Sequence, residues 1–182
     1  MQNRFSQTQF GLLLMAGITP MVAYAEIYLD ETQAVDAIFQ AHGRSHLFKR
    51  KTFELSAEEI KKIEEVSGEK VRHPSVIALV NDTKEILLID QVLGKHEFIT
   101  YAVGITPEKK IKGIEVMEYR ETYGGGVRKP EWRKQFVDKD SNSALRLDKD
   151  IINLSGATLS SSHITGGVRR ILQTYEVIRT RI

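Results

Sequence analysis

The chain has no cysteine. That excludes disulfides, thiolate-held iron–sulfur clusters, a C-x-x-C-H haem attachment and a lipid-modified cysteine. It also lacks an excess of charge of either sign. With 26 basic and 24 acidic residues among 182, the net charge is +2, far from the basic imbalance of a nucleic-acid binder. The five histidines (His42, His46, His73, His96 and His163) form no H-E-x-x-H pattern. His42 and His46 are four apart, but Gly43 between them disfavours a helical metal pair. No metal site is expected. Ser161 and Ser162 precede His163, but no G-x-S-x-G elbow presents a nucleophile. Beyond residue 25 no apolar run is long enough to span a bilayer, which takes about 20 residues. Internal repeats and low-complexity linkers are absent as well.

The first 25 residues differ from the rest. Arg4 gives a positive start, Phe10 to Ala23 is largely apolar, and Ala23-Tyr24-Ala25 is an A-x-A cleavage pattern. This reads as a secretory signal peptide cleaved after Ala25. A membrane anchor is the alternative, but the apolar run is short and Pro20 interrupts it. Cleavage removes one positive charge, that of Arg4, and leaves +1. The expected compartment is the periplasm, with no membrane span in the mature chain.

Residues 26–70 read as an N-terminal helical segment and 71–182 as a second region, the two expected to form one globular unit. Glu31 to Ala41 carries Ala34, Val35, Ile38 and Ala41 at helical spacing, and the Gly43-Arg44 neighbourhood ends it. Ser56 to Val66 is a second helix, opened by a Ser56/Glu59 capping box and stopped at Gly68. Lys49-Arg50-Lys51 reads as surface. From Ser75 the period changes to that of strands. Val76–Val80, Ile86–Val92, Phe98–Val103 and Ile111–Tyr119 are separated by short turns, which implies an antiparallel meander. Pro130 to Phe136 is a short helix with Trp132 and Phe136 on one face. The last helix, from about Ser160 to Arg179, buries Ile164, Val168, Ile171, Leu172, Tyr175 and Ile178. Gly166-Gly167 within it implies close packing against a strand or a local break. Arg169-Arg170 could help neutralise a phosphate, but on a helix's polar face it reads as a solvated pair. The expected class is α+β: a twisted antiparallel sheet of about four to five strands, helices packed on it, and a long C-terminal helix.

Two segments carry chemistry. Ser155-Gly156-Ala157-Thr158-Leu159-Ser160-Ser161 is small, rich in hydroxyls and set directly ahead of that helix. Helix N-termini offer free N–H groups and a positive dipole end to phosphates. Simple capping by Ser160 or Ser161 is the plain alternative. Upstream, Glu121-Thr122-Tyr123-Gly124-Gly125-Gly126 cannot sit inside a helix or strand. Its glycines would let backbone approach a flat ring. Tyr123 and Trp132 are each as suited to stacking on such a ring as to an ordinary packing role.

The S-G-A-T-x-S-S run resembles the attachment motif of FMN-binding domains, such as those of sodium-pumping NADH:quinone reductases and Rnf-type complexes. In that family the threonine carries FMN through a phosphoester, which here implies Thr158. The resemblance extends over residues 75–174: a strand, a Glu-Thr-Pro-Gly-like loop matched by Glu121 to Gly125, Trp132, the Gln135-Phe136 pair, the motif and a C-terminal helix. Tyr123 stands where the family often has proline. The acidic residue that the family's flavin transferase recognises is matched by Asp150, displaced by Ile151-Ile152-Asn153-Leu154. The resemblance implies FMN as cofactor and a transferase that draws it from FAD with a divalent metal. It also implies a role as electron carrier rather than substrate-converting enzyme, with membrane reductases or cytochromes as redox partners. A non-covalent flavin-binding or redox-sensing module and an accessory domain without cofactor are the other readings.

Overall fold

In the computed structural model, residues 26–121 and 124–182 are described. The signal-peptide segment, Thr122 and Tyr123 lie outside the described residues. Short turns set the topology. The chain reverses at Asn81–Glu85, where the Asn81 N–H bonds the Glu85 carbonyl at 3.2 Å. It reverses again at Gly94–Glu97 (2.7 Å) and at Thr106–Lys110 (2.9 Å). These turns join β3 (Ser75–Val80), β4 (Ile86–Leu93), β5 (Phe98–Ile105) and β6 (Ile111–Tyr119) into the antiparallel meander expected from their spacing.

Two edge strands complete the sheet. β1 (Glu26–Ile27) pairs with β6, and β2 (Lys49–Glu54) pairs with β3 along all six residues. The order is β1-β6-β5-β4-β3-β2. The α+β class stands as expected, with more strand than the apolar pattern discloses. The segment read as helical up to residue 70 contributes a strand at each edge of the sheet. β2 escaped notice because only Phe53 of Lys-Arg-Lys-Thr-Phe-Glu is buried. Charged, exposed side chains are what protect an edge from pairing with another chain.

Both faces of the sheet are covered, which is why β4 reads as a continuous apolar run. On one face Leu79, Leu87, Ala102 and Met117 pack with Ala34, Val35 and Ile38 of α1 (Glu31–Phe39). On the other, Ile86, Leu88, Tyr101, Val103 and Val116 meet Ile63 of α2 (Ala57–Ser67) and Ile164, Val168 and Ile171 of α4 (Thr158–Ile178). α1 and α2 both begin with capping boxes, from Asp30/Gln33 and Ser56/Glu59, and Gly68 caps the end of α2. α3 (Pro130–Arg133) runs into a 3-10 turn, Lys134–Phe136.

α4 continues unbroken through Gly166-Gly167. A Cβ at Gly167 would collide with the Tyr101 hydroxyl and Val92, so the pair marks close helix–strand packing. The neighbouring arginines are not solvated, contrary to expectation. Arg169 donates to the Ser67 carbonyl (2.7 Å), the Leu145 carbonyl (2.8 Å) and Glu69 (2.8 Å). Arg170 is buried and pairs with Asp90 at 2.6 Å, while donating to the carbonyls of Lys70 and Gln91. The helix is flanked by the sheet and by the chain after α2, so its polar side is enclosed too. Burial pushes the Tyr101 hydroxyl well above its usual pKa, and the Asp90 charge adds to this. Tyr101 therefore stays protonated and donates to Asp90 at 3.1 Å.

Removing one partner of such a pair leaves a charge without compensation. Because Asp90 retains some exposure, we expect Arg170→Ala to cost about 3 kcal/mol, near the low end for buried pairs. Tyr101→Phe should cost about 1 kcal/mol. Urea denaturation of the two variants checks this, and a loss below about 1 kcal/mol for Arg170→Ala would contradict the enclosed geometry.

Candidate functional site

The approach to α4 is held at several points. The Asp150 carboxylate accepts the N–H groups of Leu145 (3.0 Å) and Arg146 (2.8 Å) and pairs with Lys139 at 3.2 Å. Ile152 follows, and its backbone is gripped on both sides. The Trp132 indole donates to its carbonyl at 2.8 Å, and its N–H donates to the Gln135 side chain at 2.7 Å. The aromatic residue and the glutamine seen in the sequence thus position the strap that leads to the motif. Trp132 is buried edge-on against Phe136, with ring centres 5.1 Å apart. It is a core residue, which removes it as a surface for ring stacking.

The strap turns at Ser155-Gly156. The Ala157 N–H reaches the Leu154 carbonyl at 2.9 Å, and Gly156 takes φ +78°, a conformation that favours glycine. A Cβ there would meet nothing within 4 Å, so this side of the turn is open. α4 then begins at Thr158, two residues earlier than the hydroxyl pattern implied. Its N-cap is Ala157, and no side chain caps it. Capping by Ser160 or Ser161 is therefore overturned, because both already lie within the first turn. The buried Ser161 hydroxyl shares its one proton between the Asn153 side-chain oxygen and the Thr158 carbonyl, each 3.1 Å away. Ser160, also buried, contacts the Tyr119 hydroxyl at 3.3 Å. Thr158 and Leu159 remain exposed.

The glycine loop comes to the same place. Gly124, at φ +88°, lies so close that a Cβ would stand 2.7 Å from the Tyr119 hydroxyl and 2.9 Å from Ser160 Oγ. Glu121 carries a different load. Its carboxylate accepts the N–H groups of His96 (2.6 Å) and Glu97 (3.1 Å), fixing the β4–β5 turn. Partial burial works to raise its pKa, but these bonds and one from the Lys95 N–H prevail and hold it below the usual carboxylate range. Asp150 is likewise lowered: burial opposes, and the bonds from Arg146, Leu145 and Lys139 outweigh it.

A cleft of about 230 Å³ results, lined by Lys95, Glu121, Gly124, Gly156, Ala157, Thr158, Leu159 and Ser160. Seven of these eight come from the two segments singled out in the sequence, more than 30 positions apart. Ser155 is exposed on the adjoining turn, Gly125 packs on Arg128, and Ser161 points inward. Asp150 stands back from the cleft as an anchor of the strap. Lys95 comes from the β4–β5 turn, and nothing local in the sequence shows that this hairpin reaches α4. Among the described residues no cluster of acidic, histidine or cysteine side chains could hold a metal.

Residues 94–173 match the family model described as FMN-binding domain, from the β4–β5 turn through most of α4. No curated protein matches the chain.

The lowered carboxyls of Glu121 and Asp150 contribute to a pH-dependent stability. Each contributes fully above its unfolded pKa, about 3.9 for Asp and 4.3 for Glu, and that contribution is lost as pH falls through the lower folded value. We expect urea midpoints to fall below about pH 4, with a shallower fall in Asp150→Asn and in Glu121→Gln. Unchanged steepness in both variants would contradict these roles.

Proposed function

From a chain that carries an FMN-binding domain over residues 94–173, and so binds flavin with FMN as its cofactor, we propose an exported electron carrier whose FMN is esterified to Thr158. The observation that carries this reading is the exposed threonine in the first turn of a helix of 21 residues that no side chain caps. First-turn N–H groups and the helix dipole favour an anion there. The residues fit the group: an open turn at Gly156, and a hydroxyl and a lysine that line the same cleft.

Size favours a covalent link over simple binding. Pockets that enclose a small ligand span about 300–1,000 Å³. As its described residues line it, the cleft is about 230 Å³, and a tether would supply retention that so small a space does not. In the attachment step the Thr158 oxygen bonds the phosphorus on the riboflavin side of FAD. The pyrophosphate bond breaks, AMP leaves, and the hydroxyl proton is released. No electrons are gained or lost. The partner is a flavin transferase with its divalent metal. When bound, the flavin supplies one- and two-electron chemistry.

Within the chain, Ser161 holds the first turn rigid and Asp150, Trp132 and Gln135 hold the strap, so that Thr158 stays presented at the surface. Export is supported by the apolar segment Phe10 to Ala23 and the A-x-A pattern that ends at Ala25. No helix among the described residues is long and apolar enough to cross a membrane. Redox partners would be membrane reductases or cytochromes.

Co-expression with the transferase and intact-mass measurement tests the reading. The expected mass gain is one FMN less one water, absent in Thr158→Ala. An unmodified chain, or an adduct that survives Thr158→Ala, would overturn it.

A further inference from the structure

Lys95 lies in the cleft, yet neither the motif nor the glycine loop supplies it. Its place is built. The turn that carries it is pinned by the Glu121 carboxylate through the His96 and Glu97 N–H groups. It is also tied to α4, because the His163 ring meets the Leu93 carbonyl just before the turn. The Lys95 side chain makes no ion pair among the described residues. Glu121, the carboxylate among the described residues of the cleft, is bound to the turn's backbone. An exposed lysine on a pinned turn thus lines the same cleft as Thr158, with no ion pair of its own among the described residues.

We propose that Lys95 is the side chain that binds the FMN phosphate, alongside the α4 N–H groups. The proposal rests on the reading of Thr158 as the attachment point. An ammonium and a helix N-terminus together give the anion donors from two directions, and a flexible lysine stem supplies a point charge without demanding a fixed fork geometry. Lys95 would then restrain the tethered group and select a phosphorylated flavin over one without phosphate.

The test compares the full chain with Lys95→Gln and Lys95→Arg after loading. Intact mass, taken first, reports on Thr158 alone: the adduct is expected in all three. The phosphorus NMR resonance of the ester then reports on Lys95. It should move toward the solvent value in Lys95→Gln and stay near the parent value in Lys95→Arg. A resonance indifferent to Lys95→Gln overturns the proposal while leaving the attachment intact. If no chain carries an adduct, the attachment reading has failed, and FMN and riboflavin are titrated into the same three proteins. The parent chain should prefer FMN, and Lys95→Gln should lose about tenfold of that preference, a typical weight for one exposed charge-assisted bond. Equal affinity for the two flavins in the parent chain, or no binding of either, overturns it.

Discussion

The buried pair between Arg170 of α4 and Asp90 of β4 fixes where the last helix lies on the sheet, and the functional end of that helix depends on it. From Arg170 back to Thr158 is twelve residues, or about 18 Å at 1.5 Å per residue. Over that length Gly167 seats against Tyr101 and Val92, and His163 meets the Leu93 carbonyl. A charge as enclosed as Arg170 is retained only when paired and bonded, and here Asp90 and two backbone carbonyls meet it. One helix face is thus locked to β4 and β5, and the first turn has one place to be.

Polar side chains do most of the remaining positioning. Asp150 and Glu121 each draw backbone N–H groups to a carboxylate, one to shape the strap and one to shape the β4–β5 turn. Trp132 and Gln135 hold both polar groups of the Ile152 backbone. Ser161 closes the first turn from inside. Thr158, bracketed by these fixed groups, keeps an exposed hydroxyl that, among the described residues, makes a long bond of 3.5 Å to the Leu154 carbonyl. Rigid surroundings and a lightly held hydroxyl are what a modification site for a separate enzyme requires.

Elements with strong local signals were legible in the chain. A capping box announced α2, alternation and turn residues announced β3 to β6, and the small hydroxyl-rich run announced the head of α4. What escaped depended on partners distant in sequence. β2 is a charged edge whose pairing comes from β3 rather than from its own pattern. Arg169 and Arg170 look solvated until the chain after α2 folds over them. Trp132 offers the same sequence signal whether it stacks on a ligand or fills a core, and only the Ile152 carbonyl decides. The start of α4 moved to Thr158 because a hydroxyl-rich stretch need not place its cap on a hydroxyl; here Ala157 holds that position. Lys95 enters the site through a hairpin that local sequence presents as an ordinary turn.

Among the hydroxyls of the motif, burial separates Ser160 and Ser161 from Thr158. Tryptic cleavage after Lys149 and Arg169 releases a peptide, Asp150 to Arg169, that holds all of them. Fragmentation of this peptide from the loaded protein is the most direct measurement of the central claim. The account predicts flavin fluorescence in that peptide and fragment masses that place the phosphoester on Thr158. A flavin-free peptide, or an ester located on any serine of the motif, would contradict it.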